Sequence, residues 1–147
     1  MEQSVLDREV NTTRLFQYDQ DLVYKAWTDP DHLKNWWGPA GFTNTFHVFD
    51  LKPRGTWSFM MHGPDGRNFQ NDCEFIKIEE PSYVSWFHIS KPQFTAVATF
   101  ETINGQTKVN YKMIFETVEE CNNLRAFIIE KNEENMDRLE QELSSML

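Results

Sequence analysis

The sequence predicts an α+β fold, with one curved antiparallel sheet of about six or seven strands around a long C-terminal helix and two short helices after the first strand. Three observations carry the prediction. A lone strand-like segment, Glu9 to Phe16, is followed by two brief runs with helical spacing. From Phe42 to Phe115, apolar-rich runs alternate with turns that bear Pro or Gly. Beyond residue 115 the chain changes character: residues 116 to 147 hold nine acidic and three basic side chains and a single Phe, whereas the preceding part holds 11 of the 12 Phe.

Glu9 to Phe16 is rich in β-branched and apolar residues and reads as the first strand. Asp19 is placed to cap a short helix whose apolar residues Leu22, Val23, Ala26 and Trp27 recur at helical spacing. Thr28 and Asp29 offer a second cap. Pro30 then stands at the first helical position, where its missing N–H costs nothing, and Leu33, Trp36 and Trp37 form the buried side before Gly38 ends the segment. Lys52-Pro53-Arg54-Gly55, Pro64-Asp65-Gly66, Glu79-Glu80-Pro81 and Lys91-Pro92 punctuate the strands that follow.

The sharpest turn signal is Asn104-Gly105, the pair favoured in a type I′ hairpin. Pairing Ile103 with Gln106 sets Phe100 against Val109, Ala98 against Tyr111, Ala96 against Met113 and Phe94 against Phe115, an almost wholly apolar face. The other face pairs Glu101 with Lys108, Thr99 with Asn110 and Val97 with Lys112. A one-residue slip would exchange the two faces, so this register is strongly specified. In the preceding strands Glu74 shares parity with Ile76 and Ile78, which points it inward unless a bulge after Gln70 reverses the parity.

A helix from about Asn122 to Leu147 would be roughly 37 Å long, with an apolar stripe of Leu124, Phe127, Ile128, Met136, Leu139 and Leu143. The stripe has a hole, because Lys131, Asn132 and Asn135 occupy one turn of the buried face. Either that turn overhangs the sheet edge into water, or it gives a polar lining to an internal pocket.

Composition excludes several function classes. The chain has 147 residues, which suits one domain over 1–147 that buries roughly 70% of its unfolded surface without metal or disulfide support. Its net charge of −9 gives no basic footprint for nucleic acid. No apolar stretch reaches the roughly 18 residues that a membrane span requires. The acidic start MEQSVLDREVN lacks the basic and apolar segments of a signal peptide, so a cytoplasmic protein is expected. Cys73 and Cys121 show no redox spacing and read as reduced thiols. His32, His47, His62 and His88 lack the spacing of a zinc site, so neither a metal nor a cofactor is expected. No nucleophile, P-loop or dinucleotide fingerprint appears, and no catalytic residue is assigned.

Several motifs, in order, carry a resemblance. AWTDP (Ala26 to Pro30), WWGP (Trp36 to Pro39), DLKPRGTW (Asp50 to Trp57), MHGPDG (Met61 to Gly66), Glu80-Pro81 and MDRLEQEL (Met136 to Leu143) together resemble the activator of heat shock protein 90 ATPase homologue family. This family belongs to the START/Bet v-like SRPBCC superfamily, and the likeness spans about residues 8–144. The resemblance implies a helix-grip fold with a hydrophobic cavity between the concave sheet and the last helix, which superfamily members use to hold lipids, polyketides or other apolar molecules. Two departures stand out. The family's Gly-Gly pair falls on Arg54-Gly55, and its Gly-Trp in the last helix falls on Lys131 and Asn132, which implies a roomier or more polar cavity.

Small residues on the concave face leave volume, and the hairpin places Ala96 and Ala98 opposite Met113 and Tyr111. Trp57, Phe59, Met61, Val84 and Trp86 serve equally as core or as cavity lining. His88, Tyr111 and the group Lys131, Asn132 and Asn135 are the polar candidates. The candidate ligand-binding set is therefore Trp36, Trp57, Phe59, Met61, Trp86, His88, Ala96, Ala98, Tyr111, Met113, Ile128, Asn132 and Asn135. Three functions compete. The first is a non-enzymatic binder of a small hydrophobic or amphipathic molecule. The second is a protein-interaction module with a chaperone or other protein as partner. The third is a cyclase, dehydratase or hydrolase using His88, Tyr111 or Asn132 as acid, base or oxyanion donor.

Overall fold

A computed structural model of the chain describes residues 6–147. A turn of 3-10 helix leads into β1 (Glu9–Phe16), α1 (Gln20–Thr28) and α2 (Pro30–Trp36). The meander β2 (Thr43–Phe49), β3 (Thr56–His62), β4 (Asn68–Glu79), β5 (Tyr83–His88), β6 (Phe94–Ile103) and β7 (Gln106–Phe115) follows, and α3 (Val118–Ser145) closes the chain. The seven strands form one antiparallel sheet in the order β1-β7-β6-β5-β4-β3-β2, so the meander runs outward from β7 and β1 returns to pair beside it. This is the helix-grip arrangement expected from the sequence.

Local signals account for the helix starts. Asp29 caps α2 by accepting the Asp31 N–H at 2.9 Å, with Pro30 at the first helical position. Asp19 occupies the cap position of α1, although its side chain makes no capping hydrogen bond. α3 begins at Val118 rather than Asn122. Thr117 accepts the Glu120 N–H at 3.1 Å, and Thr-x-x-Glu is the capping-box pattern, so the extra turn was encoded just upstream of the expected start. That turn buries Cys121 completely.

The β6–β7 hairpin has the register derived from Asn104-Gly105, from Ile103 opposite Gln106 to Phe94 opposite Phe115. β4 differs from expectation. Its bulge lies between Phe75 and Lys77, not after Gln70, so Cys73 and Phe75 face inward while Glu74 and Ile76 face solvent. Ile76 is the extra residue of the bulge, and the parity shared by Glu74, Ile76 and Ile78 is broken there.

The core lies on the concave face under α1, α2 and α3. Met136, Leu139 and Leu143 of α3 are fully buried, whereas Phe127, expected on the same stripe, is 61% exposed. The volume over Ala98 is not empty. Trp27 of α1 lies against Trp86, Phe100 and Tyr111, the side chains that surround Ala98 in the sheet, and fills that space with its indole. The two short helices thus plug one half of the concave face with aromatic rings.

Candidate functional site

The other half of the concave face is open. A chamber of about 210 Å³ lies between the sheet and the polar turn of α3. Its floor is aromatic and sulfur-rich: Trp57 and Phe59 of β3, Trp86 of β5, Phe94 of β6, Tyr111 and Met113 of β7. Cys73 and His88 stand among them, and Lys131, Asn132 and Asn135 form the roof. Trp37, Gly38 and Pro39, in the loop after α2, close one side. The polar turn of α3 therefore faces a pocket rather than overhanging the sheet, and Asn132 and Asn135 are only 8% and 5% exposed.

The chamber continues outward into a bowl of about 610 Å³ that shares Pro39, Met61, Asn71, His88, Pro92 and Lys131 with it. Phe42, Phe69 and Phe127 border the bowl. This explains the exposure of Phe127: at that turn α3 passes over the open mouth. Phe42 and Phe69 lie 6.2 Å apart across it.

Trp57, Phe59, Met61, Trp86, His88, Tyr111, Met113, Asn132 and Asn135 of the sequence-derived set border the chamber. Trp36, Ala96, Ala98 and Ile128 do not. Trp36 is wholly buried and donates its indole N–H to the Ala26 carbonyl at 3.0 Å, a bond within the helical plug. Ala96 and Ala98 lie beneath larger side chains, and Ile128 packs on the core at 8% exposure. The sequence reading passed over Trp37, Asn71, Cys73 and Phe94. Asn71 and Cys73 sit opposite Phe59 and Trp57 in the register, and a correct bulge position would have brought them in.

Of the five buried side-chain polar atoms without a partner among the described residues, two belong to chamber residues and three, on Tyr24, Trp27 and Asn44, lie elsewhere. Trp57 Nε1 and Asn135 Oδ1 are buried without a hydrogen-bond partner, and Asn132 spends its amide on the sulfur of Met113 at 3.5 Å, a weak acceptor. His88 is held more firmly. Its Nδ1 lies 2.8 Å and 3.0 Å from the carbonyl oxygens of Ser90 and Pro92, and its Nε2 lies 2.7 Å from Asn71 Oδ1, a contact that becomes a hydrogen bond to the neutral ring when the Asn71 amide turns its N–H toward it. Its ring also stacks on Phe94 at 4.7 Å.

The chamber favours neutral side chains. Burial lowers the pKa of His88, against the pull of the Pro92 and Ser90 carbonyls and of Asp72. Burial raises the Cys73 thiol, helped by Asp72, and raises the Tyr111 hydroxyl, helped by Cys73. At neutral pH these three groups are an uncharged imidazole, a thiol and a phenol. Lys131 is the charged member of the wall, with its side chain 34% exposed. Among the described residues no group of three or more His, Cys, Asp or Glu is arranged to hold a metal ion.

Comparison with known proteins supplies the context. The sequence signature of the Activator of Hsp90 ATPase homolog 1-like protein family matches residues 17–144. The chain belongs to this family. Solved structures show the same fold throughout. A protein of Nitrosomonas europaea superposes with a TM-score of 0.88 at 21% identity, covering 95% of this chain and 96% of its own. One from Arthrobacter aurescens gives 0.88 at 22% identity, covering 98% of this chain and 90% of its own. The AHSA1 protein of Silicibacter pomeroyi gives 0.77 at 17% identity, with 95% and 99% covered. At such identities the likeness carries the fold alone. No curated protein matches the sequence. Within the described residues no helix is long and apolar enough to cross a membrane. Lys131 and Asn132 lie on the chamber roof, and Arg54 lies in an exposed turn.

Proposed function

We propose that this member of the Activator of Hsp90 ATPase homolog 1-like family binds a small apolar or amphipathic molecule in the chamber and releases it unchanged. One observation carries the reading: an aromatic chamber of about 210 Å³ under the polar turn of α3 opens through a bowl bordered by Phe42, Phe69 and Phe127, so an apolar body has both a cavity to fill and a way in.

Release without reaction is supported by the state of the reactive groups. His88 has both ring nitrogens engaged, the Cys73 thiol is held protonated, and the Tyr111 phenol is raised away from ionisation. None of them stands ready as a base or nucleophile at neutral pH. A second reading, an interaction module as the family's name suggests, draws support from Phe127 and Phe69, which leave 61% and 45% of their surface exposed at the mouth.

Native mass spectrometry of the purified protein, with titration of an environment-sensitive apolar dye, separates the two. A co-purified mass or saturable binding of one dye per chain supports the carrier. An empty protein that binds no dye overturns it and moves the aromatic mouth to protein contact.

A further inference from the structure

The charged side chains that border the chamber and its mouth are lysines. The chain has 23 acidic against 14 basic side chains. Among the described residues no carboxylate borders the chamber or the bowl, whereas Lys131 borders both and Lys91 borders the bowl. In so acidic a chain a lining whose charged side chains are lysines stands apart, with Glu134 beside Lys131 and with Glu116 and Glu120 on a neighbouring groove that Lys91 also borders.

Lys131 stands where chamber and bowl meet. Its Nζ lies 3.4 Å from Glu134 Oε2 and 5.5 Å from the centre of the Phe127 ring. The backbone N–H of Ala40 donates to the other oxygen of Glu134 at 3.0 Å, so this carboxylate is shared between the lysine and the loop after α2. An ammonium has three donors, and one long contact to Glu134 leaves the others for a ligand.

Resting on the ligand-binding reading above, we infer that the ligand is a monoanionic amphiphile of modest size. Its apolar body fills the chamber, and its carboxylate or equivalent anion sits at the neck on Lys131, with Lys91 farther out. A volume of about 210 Å³ is room for about seven water molecules, which suits a single ring or a short chain. Any remaining apolar part lies in the bowl among Phe42, Phe69 and Phe127. A cationic head meets Lys131 as a like charge, and a neutral one gains nothing from it.

The test uses three straight-chain probes that differ in the head group: octanoate, 1-octanol and octylammonium. Each is titrated into the full chain by calorimetry, with the fluorescence of Trp37, Trp57 and Trp86 as a second readout. Octanoate is expected to bind one site about tenfold more tightly than octanol, with octylammonium weakest. Lys131→Gln should bring the octanoate-to-octanol affinity ratio close to one, and Lys91→Gln should lower it by a smaller factor. Equal affinity for octanoate and octanol, or an octanoate preference that survives Lys131→Gln, overturns the anion assignment while the chamber reading stands. Failure of all three probes to bind a protein with an intact thermal transition overturns the chamber reading and this inference together.

Discussion

Asn132 on α3 donates its amide N–H to the sulfur of Met113 on β7, 3.5 Å away across the chamber roof. A thioether is a poor acceptor, so a buried amide is spent where a large apolar side chain would pack. The modest size of the side chain at 132 leaves the chamber open. A larger residue at 132 would occupy the space above Met113.

Asn132→Trp is accordingly expected to fill the chamber and abolish dye binding, while the thermal transition stays within a few degrees of the parent. Asn132→Leu should bind the dye and gain roughly 1 kcal/mol of stability, because an underpaired buried amide is removed. Dye titration beside thermal melts checks both. Unchanged binding in Asn132→Trp would place the ligand elsewhere.

Arg138 gives a second prediction. Its guanidinium donates to the carbonyls of Gly38 at 2.9 Å, Pro39 at 3.0 Å, Asn35 at 3.0 Å and Phe42 at 2.8 Å, tying α3 to the loop that walls the chamber. Several carbonyls in a fan suit a planar fork and not a point charge. Arg138→Lys should cost about 2 kcal/mol, roughly 4–8 °C in Tm. It should also weaken dye binding by loosening Trp37 and Gly38. A variant as stable as the parent would sink this reading.

Much of this architecture was legible in the sequence, for physical reasons that differ by element. Asn104-Gly105 determines a turn type, the turn determines the register, and the register determines which side chains face the concave side. Pro30 after Asp29 marks a helix start with the same directness. The bulge in β4 was not legible at its true place, because one extra residue between Phe75 and Lys77 leaves no distinct mark in a run of mixed polarity. Nor could the alternation of faces show that Trp27 covers Ala98. Small residues leave volume only until another element arrives, and that depends on the path of α1 over the sheet. Arg138 was hidden for a similar reason, since its partners are backbone carbonyls about a hundred residues away.

The buried imidazole of His88 makes stability depend on pH. Burial, the largest influence, holds its pKa below the ordinary value of 6.5. The unfolded chain therefore takes up this proton first as pH falls. The contribution is fully present above the unfolded value, declines through it, and levels off below the folded one. Wild-type Tm should drop as pH falls below about 6.5. His88→Gln should be less stable than wild type at neutral pH, with the gap narrowing in acid. A gap that stays constant with pH would mean that His88 does not carry this titration.

The turn between β2 and β3 offers the last test, on adjacent residues that respond in opposite directions. Arg54 adopts φ +67, a left-handed conformation that costs a side-chain-bearing residue about 1–2 kcal/mol. Its backbone N–H donates to the Phe75 carbonyl at 2.8 Å, so the conformation is held by the neighbouring strand. Arg54→Gly relieves that strain against a smaller loss of unfolded-state rigidity and should raise stability by about 0.5–1 kcal/mol. Gly55 has no such latitude, because a Cβ there would collide with the carbonyl oxygen of Asp50. Gly55→Ala should therefore lose about 2 kcal/mol or more as the turn shifts to make room. Denaturant melts of the two variants decide the matter: if Arg54→Gly destabilises, the arginine side chain makes a contribution in this turn that outweighs its backbone strain.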